Sequence, residues 1–141
     1  MPPKDQKHLE FVSKWFHQAA EDLRLANYGM EAKPPFLKGS AFHAQQCAEK
    51  SIKGFLLYHG QKIPRTHDLR GLAKLACAIK PDLQSLFEPV GTLTKYITAS
   101  RYPTDINFSE EIVRNAISIA TEVFNQLHDE TVGSGNLPLK L

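Results

Sequence analysis

Gln45, Glu49 and Lys53 recur at intervals of four residues and therefore stack along one side of any helix that contains them. An amide, a carboxylate and an ammonium in a row offer a ligand both donors and acceptors. Glu49 before Lys53 is also the favourable order for a helical salt bridge, worth about 0.3–0.5 kcal/mol on a surface. Two readings are open: a solvated ion-pair ridge, or one wall of a polar groove. Gln45 projects toward the apolar side, which the groove explains better. Asp22 sits on a helical wheel between Trp15, Ala19 and Ala26, at the flank of an apolar face. A carboxylate buried there needs a donor nearby. It either orients a cation at a site or ties two helices together.

His67 stands beside Asp68 where a helix is expected to begin, and a histidine near a helix N-terminus is disfavoured as a cation. It is suited to act as a neutral acceptor or base, or to bond a neighbouring helix. Arg101 ends an apolar-periodic stretch. Its guanidinium fork fits a phosphate or carboxylate, and it equally complements the negative end of a helix. Tyr102 next to it is placed to stack on a base or to pack. His43 and Cys47 are four apart, but no further Cys/His pair has ligand spacing, so no metal site and no cofactor are expected. Gly-rich phosphate loops, HExxH and a strand-borne serine nucleophile are absent from the sequence.

Apolar spacing predicts the elements that hold these residues. Leu9, Val12, Phe16, Ala19, Leu23 and Ala26 mark a helix over about 5–28, closed by Gly29 and Pro34-Pro35. Ala41, Ala44, Ala48, Ile52, Phe55 and Leu56 mark a second over 38–59, stopped by Gly60. The third opens near His67 after a Thr66 cap. The fourth runs from Pro81 to Ser100, kinked or split by Pro89 and Gly91. The fifth starts at a Ser109 cap followed by Glu110 and Glu111 and reaches Asp129. No segment shows sustained period-two alternation. The expectation is all-α: an up-and-down antiparallel four-helix bundle with a short extra helix.

With 141 residues, 42% of them apolar and 23% charged, the chain reads as one globular domain over 5–130 with a flexible tail at 131–141. No apolar run approaches the ~18 residues of a bilayer span and no signal peptide opens it, so a cytoplasmic location is expected. Cys47 and Cys77 are expected as free thiols. The net charge is only +2, but it is unevenly spread. Residues 50–80 carry seven basic side chains against Asp68, a local +6, and residues 105–130 carry six acids against Arg114, a local −5. The basic segment suits phosphate-bearing ligands. Alternatively, the two segments meet each other, within a subunit or across a two-fold axis.

In this order and at these spacings, several segments resemble the HEPN domain (higher eukaryotes and prokaryotes nucleotide-binding). They are Trp15, Ala19, Asp22-Leu23 and Ala26; FHAQQCAEKSIKGFL at 42–56; Pro64 and Thr66-His67-Asp68-Leu69; and Arg101-Tyr102-Pro103. The resemblance covers about residues 9–128. It implies a helical bundle, often a homodimer. Small members are often paired with a minimal nucleotidyltransferase in toxin–antitoxin-like modules. Many members are metal-independent ribonucleases that use Arg followed four to six residues later by His. This sequence departs from that motif: Asp105, Ile106, Asn107 and Phe108 follow Arg101, and the next histidine is His128. The leading expectation is thus a non-catalytic subunit that binds a nucleotide or RNA through Glu49, Lys53, His67, Arg101 and Tyr102, supported by Asp22 and Gln45. Two alternatives remain: a ribonuclease using Arg101 and His67, and a purely structural dimerisation module.

Overall fold

The structure, a computed structural model, describes residues 5–94 and 108–134. Among them there is no strand; the fold is an all-helical bundle. Helix α1 spans Gln6–Glu31, α2 Leu37–Tyr58, α3 Leu69–Ile79, the single turn α4 Gln84–Phe87, and α5 Glu110–Asp129. Short 3₁₀ turns at Pro81–Leu83, Val90–Leu93 and Val132–Ser134 complete the order. Arg101 and Tyr102 lie outside the described residues.

Helix α2 is the centre of the bundle and packs on α1, α3 and α5. Its alanines 41, 44 and 48 are fully buried and keep the neighbouring helices close. Gly54 does the same at the other end, where an added Cβ would sit 2.7 Å from the Phe16 ring. Phe16 packs edge-on against both Phe124 and His128 of α5. Helices α1 and α2 are antiparallel. His8 near the start of α1 bonds the Leu57 carbonyl at 2.9 Å, near the end of α2, while Gly29 late in α1 meets Ser40 early in α2. Large side chains such as Phe16, Ile52, Phe55, Leu56, Leu72 and Leu127 are fully buried, each worth about 1.5–3 kcal/mol against exposure.

The helix ends differ from the sequence expectation in instructive ways. Gly29 does not close α1, which continues to Glu31; the glycine makes room for Ser40 instead of breaking the helix. Gly60 does end α2, at φ 77°, with Gln61 N–H bonding the Leu56 carbonyl at 2.9 Å. The cap of α3 is Asp68, not Thr66. Asp68 accepts from Arg70 N–H, while Thr66 accepts from Asp68 N–H. His67 therefore precedes the helix. The fourth helix is split within 81–93, as Pro89 and Gly91 predict, into one α-turn and two 3₁₀ turns. Pro89 lacks an N–H, and in a continuous helix its ring would clash with the carbonyl four residues earlier. Ser109 caps α5 through Ile112 N–H, as its spacing predicts. Beyond residue 130, Thr131 and Val132 are fully buried, and the Thr131 hydroxyl donates to the Leu127 carbonyl at 2.7 Å.

Candidate functional site

Two buried carboxylates border the open side of α2. Glu49 is 3% exposed. Its oxygens accept from Lys53 Nζ at 3.0 Å, Gln45 Nε2 at 3.1 Å and His67 Nδ1 at 3.0 and 3.2 Å. Gln45 and Lys53 come from the four-residue spacing on α2. His67 is carried in from the loop before α3, which the Asp68 cap and the Thr66 turn hold in place. Of the sequence-predicted residues, Gln45, Lys53 and His67 thus converge on Glu49. The Glu49–Lys53 pair is buried rather than a solvated ridge.

Asp22 forms a parallel cluster. His43 Nδ1 and Lys50 Nζ each approach one of its oxygens at 2.7 Å. On the same helix the Gln46 amide donates to Gln45 Oε1 at 2.8 Å, and Gln45 in turn donates to Glu49. His43, Gln46 and Lys50 were not among the sequence-derived site residues. Their spacing of three and four was a usable signal, because it marks one helical face. Their partner Asp22, however, belongs to another helix.

Both clusters have the same chemistry. A carboxylate accepts from imidazole Nδ1, so that nitrogen carries the hydrogen and a neutral ring leaves Nε2 as an acceptor. The His67 side chain is 60% exposed and that of His43 31%. Lys50 and Lys53 are each matched by one buried carboxylate, so these four groups sum to no charge. Lys80 pairs with Glu130, so the excess positive charge of residues 50–80 resides in Lys62, Arg65, Arg70 and Lys74. Arg70 lies over Gly91, where a Cβ would be 2.3 Å from its Nε.

Cys47 supplies no nucleophile. Burial first, and then the negative charge of Asp22, push its thiol up to about 12. Among the described residues no group of three His, Cys, Asp or Glu side chains is placed to hold a metal ion. None of their helices is long and apolar enough to cross a membrane. Two sizeable clefts, one between α1 and α5 and one at the α1–α2 turn, are not lined by Glu49, Lys53 or His67. The Thr94 hydroxyl accepts from Leu69 N–H at 3.2 Å, which brings the chain beside the start of α3 before it leaves the described region.

No solved structure matches the chain. A Methanocaldococcus jannaschii protein named "Putative toxin MJ1304" is 27% identical over 103 residues, which cover 68% of this chain and 66% of that protein. The HEPN domain model matches residues 12–130, the stretch that runs from the second turn of α1 through α5 and includes both carboxylate clusters. The chain belongs to the HEPN domain family.

Proposed function

We propose that this chain is a non-catalytic HEPN subunit of a toxin–antitoxin-like module. It binds a nucleotide or nucleic acid at the Glu49 face and works as a homodimer with a minimal nucleotidyltransferase partner. The observation that carries the reading is the buried Glu49 holding Lys53 and the exposed His67. A carboxylate withdrawn from water and surrounded by donors is costly to assemble for packing alone, and its effect is to fix one outward-facing imidazole. Arg101 and Tyr102 are assigned to the same site. Only seven residues separate Arg101 from Thr94, a tether of at most about 25 Å, and Thr94 is bonded beside the α3 start. Toxin–antitoxin membership is supported by the family and by the name of the M. jannaschii relative. The non-catalytic assignment is supported by the sequence after Arg101, which has Asp105, Ile106, Asn107 and Phe108 across the positions where the family's nuclease histidine is expected.

Calorimetric titration with ATP, GTP and a short single-stranded RNA tests the reading. Binding by at least one of them is expected, weakened about tenfold by His67→Ala and by Arg101→Ala. Absence of heat with all three near millimolar ligand would remove the binding claim. RNA cleavage by the wild type that is lost in Arg101→Ala would replace it with the ribonuclease reading.

A further inference from the structure

The α1–α2 turn carries features that neither the packing nor the Glu49 face uses. Tyr28 and Phe36 are 71% and 67% exposed. With Leu25 they wall a cleft of about 550 Å³. Single exposed apolar side chains are ordinary, whereas a contiguous set around one cleft marks a binding surface. The floor is Gly29, Gly39 and Ser40. Ser40 is 1% exposed and its hydroxyl has no hydrogen-bond partner. That hydroxyl lies against Gly29, where a Cβ would be only 2.3 Å away. A buried hydroxyl without a partner is costly, which a ligand atom at the cleft floor would relieve.

The first turn of α2 opens into the same cleft. Its N-cap, Phe36, provides no side-chain hydrogen bond, and the turn has no acidic residue. The leading N–H groups of this 22-residue helix are therefore available to an anion. Lys38 occupies this positive helix end, an arrangement that favours an anion alongside it. His43 also lines the cleft; its Nδ1 is held by Asp22, so Nε2 is the nitrogen left for a ligand.

We propose that this cleft binds one nucleotide unit of a single-stranded RNA. The phosphate sits on the N-terminal turn of α2 beside Lys38, the ribose 2′-hydroxyl donates to His43 Nε2, and the base lies against Tyr28 and Phe36. Aromatic rings beside a cationic phosphate site are the recurring means of holding unpaired bases. The face His43, Gln46, Lys50 leads from this cleft toward the Glu49 cluster. Fifteen residues of helix separate Lys38 from Lys53, roughly 22 Å, too far for one nucleotide and suited to a strand. The inference rests on the nucleic-acid reading of the Glu49 face and makes its ligand a strand.

Fluorescence anisotropy with a labelled ten-nucleotide single-stranded RNA, paired with ATP calorimetry, tests this. Tyr28→Ala/Phe36→Ala and Lys38→Glu are each expected to weaken RNA binding about tenfold or more. Both should leave ATP titration and the wild-type melting curve unchanged. Unchanged RNA affinity in both variants, with weakening by His67→Ala, would overturn the cleft while leaving the Glu49 reading intact. Loss of self-association in Tyr28→Ala/Phe36→Ala with RNA affinity retained would make the cleft a protein interface and also overturn it. Failure of the wild type to bind RNA would remove it regardless of what ATP does.

Discussion

Glu49 shows how much a single burial state changes the meaning of a sequence pattern. On a surface its pairing with Lys53 would be worth a few tenths of a kcal/mol. Buried as it is, with side-chain exposures of 5% and 8% for the pair, removing one partner leaves the other charge uncompensated. Glu49→Ala is therefore expected to destabilise the protein by about 3–5 kcal/mol, read as a large drop in the urea midpoint. A loss below 1 kcal/mol would mean that Lys53 reaches water. The four-residue spacing of Gln45, Glu49 and Lys53 was legible in the sequence. His67 was expected at the same groove, but its bond to Glu49 could not be read from helical spacing, because a loop brings it from outside the helix.

Two other histidines report on acid stability. His128 is stacked on Phe124 and edge-on to Phe16, and burial holds its pKa below the ordinary histidine value, against the opposing charge of Asp129. His59 is lowered in the same way, by burial first. In both cases the unfolded chain binds protons more readily than the folded one. Their contribution is thus complete above the unfolded value, about 6.5, and is lost as pH falls through the lower folded values. Urea midpoints measured between pH 7.5 and 5 should decline, and His128→Phe should flatten the decline. An unchanged slope in that variant would contradict the assignment.

At the scale of elements, the bundle depends on how closely α2 approaches its neighbours. Gly54→Ala raises helix propensity by about 1 kcal/mol, yet its Cβ would press to 2.7 Å from a Phe16 ring already packed against two aromatic neighbours. Overpacking of this kind costs about 1–3 kcal/mol, so net destabilisation is expected in thermal melts; a raised Tm would show that Phe16 has room to move. Helices α1, α2 and α5 were legible because apolar residues recur at three and four over twenty or more residues. The 81–93 segment keeps that phase without forming one helix; periodicity reports which face is buried, and it was Pro89 and Gly91 that signalled the split. Gly29 misled for a related reason. A glycine within a helical pattern signals either a stop or a close approach, and only the position of Ser40 decides between them.

For the molecule as a whole, the local +6 of residues 50–80 suggested either phosphate-bearing ligands or contact with the acidic 105–130 segment, and three of its lysines are matched: Lys50 and Lys53 by Asp22 and Glu49, and Lys80 by Glu130 of the acidic segment. The remaining positive charge sits around the loop before α3 and on α3 itself, in Lys62, Arg65, Arg70 and Lys74. That loop also supplies His67. We propose that ligand binding concentrates where the imidazole fixed by Glu49 meets this cationic loop, and that Arg101, outside the described residues, serves the same site.

A double-mutant cycle of His67→Ala and Arg101→Ala, read by calorimetric titration with the nucleotide or RNA that binds the wild type, tests this most directly. Residues on one site are expected to couple by more than about 0.5 kcal/mol. Two single-variant losses that add without coupling, or no loss in either variant, would contradict a shared site.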